Sequence, residues 1–564
     1  DPERADRSLL FNAEHPDADD ALHTEYVDDG LGWVDADGAR FWFVAPYVEW
    51  GLWRRLGAAV SILSWSYAYT GEQRYAHKAA VLLDRIADLY PDMDKAYWLP
   101  DNMKGTGGKI LDSVWENGFL GGNVIYPYDI IHDAIGQDDE LVAFLSAQAA
   151  RYILPNPKTS ADLIRANIDH NLVREMLLSM EEGVIDGNVG MCERSVAYCG
   201  IALGDTPEVR HALEWVFSDE GNALQRTMVE AIDRDGVGAE SSPGYSLSWC
   251  SNLGYFATLL HDYGDAPPEY DLMRHPKFSR MMEAAVRLVC LDRFTPNIGD
   301  CGSTGKLDTV IPQTELLVKL FLASKNPAVA KAIYFKTDGN LAGLHYPVTE
   351  PDPERVREEI TRIARPAPNE DFTSENLAGY GLCKLQSGRR SDDSGRCLWV
   401  SYGRNGGAHP HQDRLGTGLV AKGIDLSPEM GYPEFTGGWP KRRYWTDVSI
   451  SHNTVTVDTQ AQLSSFCGGV GFFKASGDID VVDLTSPQIY DQCDRFDRQI
   501  SLIDVSPEDS YVVDVFAVRG GKDHIYSYHG PEGPVTVDGL QLVTQKAGTY
   551  AGPEFAYPER GLGP

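Results

Sequence analysis

Two histidines on either side of a proline form the densest group of potentially reactive side chains in the sequence. They lie in Gly407-Ala-His409-Pro-His411-Gln-Asp413-Arg414. Imidazole titrates near neutral pH, which suits it to proton transfer and to metal binding. In a regular strand, residues two apart share a face. Because proline disfavours a regular strand, we expect a turn at Pro410, with one histidine facing a cleft and the other facing into the fold.

A third histidine, His452, stands further along the chain at the head of a predicted strand, and Asp425 and Glu429 lie between it and His411. Two imidazoles and one carboxylate are an ordinary ligand set for zinc. We therefore predict a zinc site from His411, Glu429 and His452, with Asp425 as the competing carboxylate. Histidines near strands are also common as core or surface residues, and three ligands plus water would suit either a structural or a catalytic ion.

A second candidate group is the glycine-rich segment Asp235-Gly-Val-Gly-Ala-Glu240-Ser-Ser-Pro-Gly-Tyr245, which leads into a predicted helix. A tyrosine directly after Pro-Gly can hold its phenol over a cleft. The alternative is an ordinary helix start, with Ser241 or Ser242 as the cap, Pro243 in the first turn and Tyr245 as a packing residue.

A third candidate group opens another helix at Asp186-Gly-Asn188-Val-Gly190-Met-Cys192-Glu193-Arg194. The amide of Asn188 and the helix N-terminus can both bind a carboxylate, although simple capping explains Asn188 equally well. On the preceding helix, His170 stands between Asn167 and Asn171. A polar helix face explains these three residues as well as a binding site does.

The elements that position these residues change period along the chain. Between residues 40 and 365, apolar residues recur at helical spacing, and Thr70-Gly71-Glu72 interrupts a first pair of helices, which predicts a helical hairpin. Further helices are predicted near 139–153, 160–182, 190–203, 206–232, 245–263, 278–291, 313–324 and 353–365. About ten antiparallel helices without a fixed repeat favour an incomplete α/α toroid.

Beyond residue 365 the period becomes two, after a Pro-containing polar linker at 366–376. Strands are predicted at 396–402, 453–458, 479–483, 499–504 and 511–518. We therefore predict a multidomain α+β protein: an N-terminal toroid over 1–365 and an antiparallel β-sandwich over 377–564. The Gly/Pro-rich end has no clear final strand, so we expect further residues to complete the sheets.

The formal net charge of −33 argues against nucleic acid or an anionic membrane as the partner, since both require a basic face. Basic residues concentrate at Lys441-Arg442-Arg443, which either contacts an anionic substrate or forms a solvated loop. Nine cysteines without a CxxC pair predict mostly buried free thiols. No apolar run reaches the ~20 residues of a membrane span. The first residues are not a signal peptide, and we expect a processed or trimmed chain.

Together these segments resemble the heparinase II/III-like polysaccharide lyases, a family that includes heparinases and exolytic alginate lyases. Four motifs carry the resemblance: His409-x-His411-x-Asp413, Lys422-Gly423…Gly431-Tyr432, Ser451-His-Asn-Thr-Val455 and Glu240-x-Ser-Pro-x-Tyr245. The resemblance implies an α/α toroid followed by antiparallel sheets, with the active cleft between them. It also implies that His409 is catalytic and that His411, Glu429 and His452 bind a structural zinc ion. The acidic ligand is commonly Asp in relatives.

The stretch around Asn188 is similar to the helix by which family members supply an Asn or His to the substrate carboxylate. Relatives often carry a His beside that Asn, whereas this chain has Val189 and Cys192. The resemblance therefore implies that Asn188 neutralises the carboxylate and that Cys192 and Glu193 line the pocket. Further expected substrate contacts are His170, Glu240, Arg443 and Tyr444.

The implied reaction is β-elimination on a uronic-acid-containing glycan, in a periplasmic or secreted setting. Removal of the C5 proton requires prior neutralisation of the carboxylate, here by Asn188. Tyr245 and His409 then transfer protons, and the substrate stereochemistry decides which one is the base. Two alternatives are a glycoside hydrolase that uses Glu193, Asp235 and Glu240, and a carbohydrate-binding protein without catalysis. The sequence does not distinguish alginate from heparin, heparan sulfate, hyaluronan or other uronans.

Overall fold

The computed structural model describes residues 11, 15–24, 33–34, 40–41, 44–95, 108–263, 267–347, 349–367, 370–432, 442–465 and 468–547. The side chains at 33–34, 40–41, 44–49, 263 and 443–444 are outside the described set. The chain forms two compact units, residues 1–225 and 226–564. No helix in the described part of the chain is long and apolar enough to cross a membrane.

The first unit is helical, and its predicted hairpin is confirmed as α1 (Val44–Thr70) and α2 (Gln73–Leu89). Gly71 adopts the left-handed φ of 69° that ends α1. The following helices are α3 (Ser113–Gly118), α4 (Tyr126–Ile135), α5 (Asp139–Tyr152), α6 (Ala161–Ile168), α7 (Glu175–Glu181), α8 (Met191–Leu203) and α9 (Pro207–Phe217). π-Helical turns at Phe119–Ile125 and Asp169–Arg174 join α3 to α4 and α6 to α7, and two short strands, β1 (Trp33–Val34) and β2 (Arg40–Phe41), pair antiparallel.

A buried ionic cluster joins α2 to the segment before α6. The ammonium Nζ of Lys158 lies 2.5 Å from Asp84 Oδ2 and 2.6 Å from Asp88 Oδ2. Asn167 on α6 donates to Asp84 Oδ1 at 2.9 Å. Because the lysine is buried, both carboxylates are needed to compensate its lost hydration.

In the second unit, helices precede strands. The helices are α10 (Leu224–Glu230, which crosses the unit boundary), α11 (Pro243–Tyr263), α12 (Pro276–Arg287), α13 (Thr314–Ser324), α14 (Pro327–Lys336) and α15 (Pro353–Ala364). The single helix predicted over 206–232 is wrong, because α9 and α10 are separate. The connection between them turns at Ala223, whose φ of 51° is left-handed and cannot continue a helix.

The strands of the second unit form antiparallel sheets. They are β3 (Glu375–Leu377), β4 (Leu382–Ser387), β5 (Arg396–Ser401), β6 (Thr417–Ala421), β7 (Ile424–Asp425), β8 (Val455–Val457), β9 (Gly469–Lys474), β10 (Ile479–Thr485), β11 (Cys493–Asp504), β12 (Ser510–Gly520) and β13 (His524–Tyr526). One sheet has the order β3-β4-β5-β6-β7, a second has β12-β11-β10-β9, and β13 pairs with β8. All five predicted strands are present.

The five-stranded sheet is covered on both faces, so β4 and β5 are buried at every position. On one face, Leu398 and Val400 pack with Val482 and Phe496 of the four-stranded sheet. On the other, side chains such as Trp399 pack with Leu247 of α11, Ala284 and Ala285 of α12, and Leu288 directly after α12. The predicted fold class, an α/α toroid followed by an antiparallel β-sandwich, is confirmed.

The helices end at Ala364 and the first strand of the large sheet begins at Glu375. The predicted domain limits, 1–365 and 377–564 with a linker at 366–376, stay a prediction. All eight cysteines within the described residues are buried free thiols, as expected, and Cys467 lies outside those residues.

Candidate active site and metal-binding cluster

Three loops of the second unit meet around Asp300, in the segment between α12 and α13. Its backbone N donates to His409 O at 3.3 Å, and its carbonyl accepts from Ser242 Oγ at 2.7 Å. A Cβ on the preceding Gly299 would lie 2.5 Å from His409 O, so only glycine permits this approach. Ser242 therefore ties Asp300 to the start of α11.

The start of α11 places Tyr245 against His409. Their rings are stacked, with centroids 3.4 Å apart and planes inclined by 8°. The backbone of His409 has a left-handed φ of 60°, so the His-Pro-His segment is not a regular strand. The side chain of His409 is 31% exposed, whereas that of His411 is 0% exposed. The turn expected at Pro410 therefore gives the two imidazoles different environments.

Both imidazoles nevertheless contact one carboxylate, that of Asp300. His409 Nδ1 lies 2.8 Å from Asp300 Oδ2, and His411 Nε2 lies 3.1 Å from Asp300 Oδ1. Burial by itself raises the pKa of the Asp300 carboxyl, but hydrogen bonds from His409, His411 and Arg442 outweigh it and hold this pKa well below its usual range. Asp300 is thus a carboxylate that only accepts, and both imidazoles donate to it.

Glu240 stands on the other side of His409. Its Oε1 accepts from Trp249 Nε1 at 2.9 Å, and its Oε2 lies 3.8 Å from His409 Nε2. That Oε2 is buried and has no hydrogen-bond partner among the described residues. Burial raises the pKa of Glu240, and the bond from Trp249 opposes this shift. Glu240 can therefore stabilise positive charge on His409 without holding its ring in the resting state.

The phenol of Tyr245 is protonated at neutral pH. Burial raises the pKa of Tyr245 to about 12, with smaller contributions from Tyr432, Asp300 and Glu240. A neutral phenol beside an imidazole gives an acid and a base side by side. This combination suits a reaction that removes one proton and delivers another.

Arg442 brings a positive charge to the same group, from the π-helical turn Arg442–Thr446. Its Nη2 donates to Asp300 Oδ2 at 2.6 Å, its Nε lies 3.5 Å from Asp447 Oδ2, and its guanidinium carbon lies 5.1 Å from the centre of the Tyr432 ring. The sequence identified Arg442 only as part of a basic triplet. The predicted substrate contacts Arg443 and Tyr444 have side chains outside the described residues.

A candidate metal-binding cluster adjoins this group through His411. One ligand atom each from His411, Asp413 and His452 lies within 4.8 Å of the others, and all three residues are buried. His411 Nδ1 is buried without a hydrogen-bond partner among the described residues. His452 Nε2 contacts Thr446 O at 3.0 Å. The other ring nitrogen of His452, Nδ1, is therefore the one that would bind a metal ion. An unpartnered imidazole nitrogen beside a second imidazole and a carboxylate fits a metal ligand set.

Glu429 contacts this cluster through His452, since its Oε1 is a close hydrogen-bond partner of His452 Nδ1. Burial lowers the pKa of His452, but the Glu429 carboxylate outweighs burial and raises that pKa to about 9. Asp425, the competing ligand, lies in β7 outside either candidate group, and burial raises its pKa to about 6. Asp413 was part of a sequence motif, but it was not identified as a ligand.

A second group of possible ligands comprises Asp300, His411 and Asp447. Here Arg442 already contacts both carboxylates. The positive charge that a cation would supply is therefore provided by an arginine. The cluster of His411, Asp413 and His452 is the better candidate for a metal ion.

The remaining predicted site residues belong to the first unit. Asn188 lies in the turn before α8, and its carbonyl accepts from Met191 N at 2.9 Å. Cys192 Sγ accepts from Asn117 Nδ2 at 3.4 Å. Glu193 is buried, and this burial raises its pKa to about 7. The roles assigned to these residues stay predictions.

His170 is exposed in the π-helical turn Asp169–Arg174. The neighbouring amides take part in the buried ionic cluster: Asn171 Nδ2 donates to Asn167 Oδ1 at 3.0 Å, and Asn167 binds Asp84. Structural contacts therefore account for the two asparagines. A substrate contact by His170 stays a prediction.

Residues 377–532 match the family described as heparinase II/III-like, C-terminal. Among solved structures, heparinase III, the BT4657 gene product, superposes with a TM-score of 0.54 at 18% identity, covering 85% of this chain and 66% of that protein. Its form with methylated lysines gives 0.51 at 17% identity, with the same coverage. Heparan sulfate lyase from Pedobacter heparinus gives 0.49 at 17% identity, covering 82% and 61%. No curated protein sequence matches the chain.

Proposed function

Because residues 377–532 match the heparinase II/III-like C-terminal family, we propose that the chain is a polysaccharide lyase. It cleaves a uronic-acid-containing glycan, of the glycosaminoglycan or alginate type, by β-elimination. The observation that carries this proposal is the stacking of Tyr245 on His409, with His409 held by a buried carboxylate. The chain spans 66% of the length of heparinase III.

β-Elimination moves two protons and breaks one carbon–oxygen bond. A base removes the proton from C5 of the uronate, the electron pair forms the C4–C5 double bond, and the bond from C4 to the glycosidic oxygen breaks. An acid protonates the departing oxygen. No water is consumed, and the product carries an unsaturated uronate at its new end.

The site supports a division of these tasks between two side chains. His409 Nδ1 donates to Asp300, which leaves the lone pair on Nε2 to take the C5 proton. The imidazolium that forms is stabilised by Asp300 at 2.8 Å and by Glu240 at 3.8 Å. Tyr245, protonated because of its raised pKa, delivers its proton to the departing oxygen. For the other C5 epimer, Tyr245 serves both steps as its phenolate, which takes the C5 proton and then delivers that proton to the departing oxygen.

The substrate carboxylate must be neutralised before C5 loses its proton. We assign this role to Asn188, on the resemblance of its segment to that of family members. Cys192, Glu193 and His170 are proposed as further substrate contacts. Arg442 adds a positive charge beside Tyr245, which favours an anionic glycan on a chain of net charge −33.

We also propose a structural zinc ion at the cluster behind the site. His411 and His452 supply imidazole nitrogens, and Asp413 and Glu429 supply the carboxylates. A bound ion would fix the segments that carry these residues relative to each other. It takes no part in the proton transfers.

The test is the ultraviolet absorbance of the unsaturated product, recorded on a panel of uronate glycans. Tyr245→Phe removes the proton donor and should abolish the rise in absorbance while leaving the fold intact. Tyr490→Phe is the matched control, because its hydroxyl bonds Val455 O at 3.3 Å in the sandwich core. Near-normal activity of Tyr245→Phe would refute the assignment. New reducing ends without absorbance would instead indicate a glycoside hydrolase.

A further inference from the structure

We propose that Asp300 is a positioning residue that sets the tautomers of His409 and His411 together, and so links the proton-transfer site to the metal-binding cluster. The role of Asp300 towards His409 rests on the proposed function. Its role towards His411 rests only on the geometry of the candidate metal-binding cluster. Neither the motifs nor the spacing of the sequence identified Asp300.

The two oxygens of Asp300 have different partners. Oδ2 accepts from His409 Nδ1 at 2.8 Å and from Arg442 Nη2 at 2.6 Å, whereas Oδ1 accepts from His411 Nε2 at 3.1 Å. The Asp300 side chain is 1% exposed, so water does not replace these partners. Its backbone is held at the same time by Ser242 and His409. The carboxylate is thus fixed in position and orientation.

Each hydrogen bond decides which nitrogen of its ring stays free. With the proton of His409 on Nδ1, the lone pair is on Nε2, the atom that faces Glu240. With the proton of His411 on Nε2, the lone pair is on Nδ1, the buried atom without a partner among the described residues. A carboxylate orients a metal-binding imidazole in this way in many metal sites. Here one carboxylate, that of Asp300, orients both a proposed metal ligand, His411, and a proposed catalytic base, His409.

An amide in place of the Asp300 carboxylate cannot serve both rings, because it offers one accepting oxygen and one donating nitrogen. If the oxygen of this amide faces His409 and Arg442, its NH₂ group faces His411. That ring must then carry its proton on Nδ1, where it blocks the metal. If the amide is reversed, His409 carries its proton on Nε2 and loses the lone pair that takes the C5 proton.

The decisive variant is therefore Asp300→Asn, measured for metal affinity and for turnover. Zn²⁺ affinity, from competition with a chromophoric chelator, should fall about 10- to 100-fold. At saturating Zn²⁺ the amide oxygen must face His411, so kcat should fall about 10- to 100-fold with KM little changed. Unchanged affinity together with unchanged kcat would overturn the proposal, and so would a loss confined to KM.

A matched control is Asp480→Asn, which alters a buried carboxylate of β10 that accepts from Ser476 N at 2.9 Å. It should change neither affinity nor kcat. Equal losses in this control would mean that Asp300 acts only through general stability, against the proposal. The conservative Asp300→Glu keeps two accepting oxygens and should recover part of both losses.

A measurement on the unaltered protein covers the case in which Asp300→Asn does not fold. Nitrogen NMR of histidine-labelled protein distinguishes the two neutral tautomers, and the signals lost in His409→Gln identify His409. A proton on Nδ1 of His409 is expected, and a proton on its Nε2 would overturn the proposal. If the unaltered protein yields no unsaturated product from any uronan, the proposed function fails, while the affinity and NMR measurements still decide the role of Asp300.

Discussion

Glu240→Gln tests how the site stabilises the charge that forms on His409. The substitution keeps the shape of the side chain and the acceptor for Trp249, but it removes a negative charge 3.8 Å from His409 Nε2. Two unit charges at this distance interact by about 4 kcal/mol at an effective dielectric constant of ~20. The imidazole is 31% exposed, and solvent screening reduces this to about 1–2 kcal/mol.

A loss of about 1–2 kcal/mol in the stabilisation of the charged imidazole corresponds to a decrease of kcat by about 5- to 30-fold. The decrease appears in kcat because, in the proposed mechanism, the imidazolium forms only as the C5 proton is removed. The assay is the initial rate of absorbance increase at saturating glycan, with Glu375→Gln as control. Glu375 pairs with Arg287 at 2.7 Å, so the same isosteric change occurs at a carboxylate that contacts neither Tyr245 nor His409.

The pH dependence gives a second measure of the same effect. The contribution of Glu240 is present above its pKa and is lost as the pH falls through that pKa. Burial raises this pKa, so the loss begins at a higher pH than for an exposed glutamate. The Gln variant should lack this part of the profile. Full kcat in Glu240→Gln would refute the reasoning, and complete loss would favour the hydrolase alternative, in which Glu240 is one of the candidate catalytic carboxylates.

Three further outcomes are expected. Lys158→Met leaves the buried Asp84 and the partly buried Asp88 without their lysine partner and should lower the free energy of unfolding by about 3–5 kcal/mol in urea titrations. Lys319→Met, at a partly exposed pair, should change it by less than about 1 kcal/mol. His411→Ala should abolish stoichiometric Zn²⁺ binding and remove the rise in melting temperature that added Zn²⁺ produces; an unchanged stoichiometry would contradict the ligand assignment. Arg442→Gln should raise KM for anionic glycans, and a KM equal to that of the unaltered protein would contradict its role.

Many helices and strands were predictable because the patterns that indicate them lie within short segments of the sequence. The α1–α2 hairpin follows from apolar spacing and a breaking glycine, and the five predicted strands follow from alternation. The prediction of a single helix over 206–232 is wrong because Ala223 takes a left-handed φ. Alanine favours helices, so the residue type gave no indication of this conformation. Helices α3, α4 and α14 were also not identified.

The residues of the candidate site also fall into those that the sequence identified and those that it did not. Tyr245, His409, His411 and His452 were identified from residue type, spacing and family resemblance. By contrast, Asp300 stands 109 and 111 positions from the histidines that it contacts. Arg442 stands 142 positions from Asp300 and was visible only as one of three basic residues. Asp413 was named in a motif, but its proximity to His452 depends on how two loops meet.

The sequence by itself determined that a helical part precedes a part built of strands, the acidic balance and the residue types suited to proton transfer and metal binding. It did so because propensity, periodicity and charge are properties of short segments or of composition. Only the tertiary structure decided that Tyr245 stacks on His409 and that a single buried carboxylate joins this pair to the candidate metal-binding cluster. Those contacts depend on loops brought together by the packing of α11 and α12 against the five-stranded sheet, and no local pattern encodes that packing.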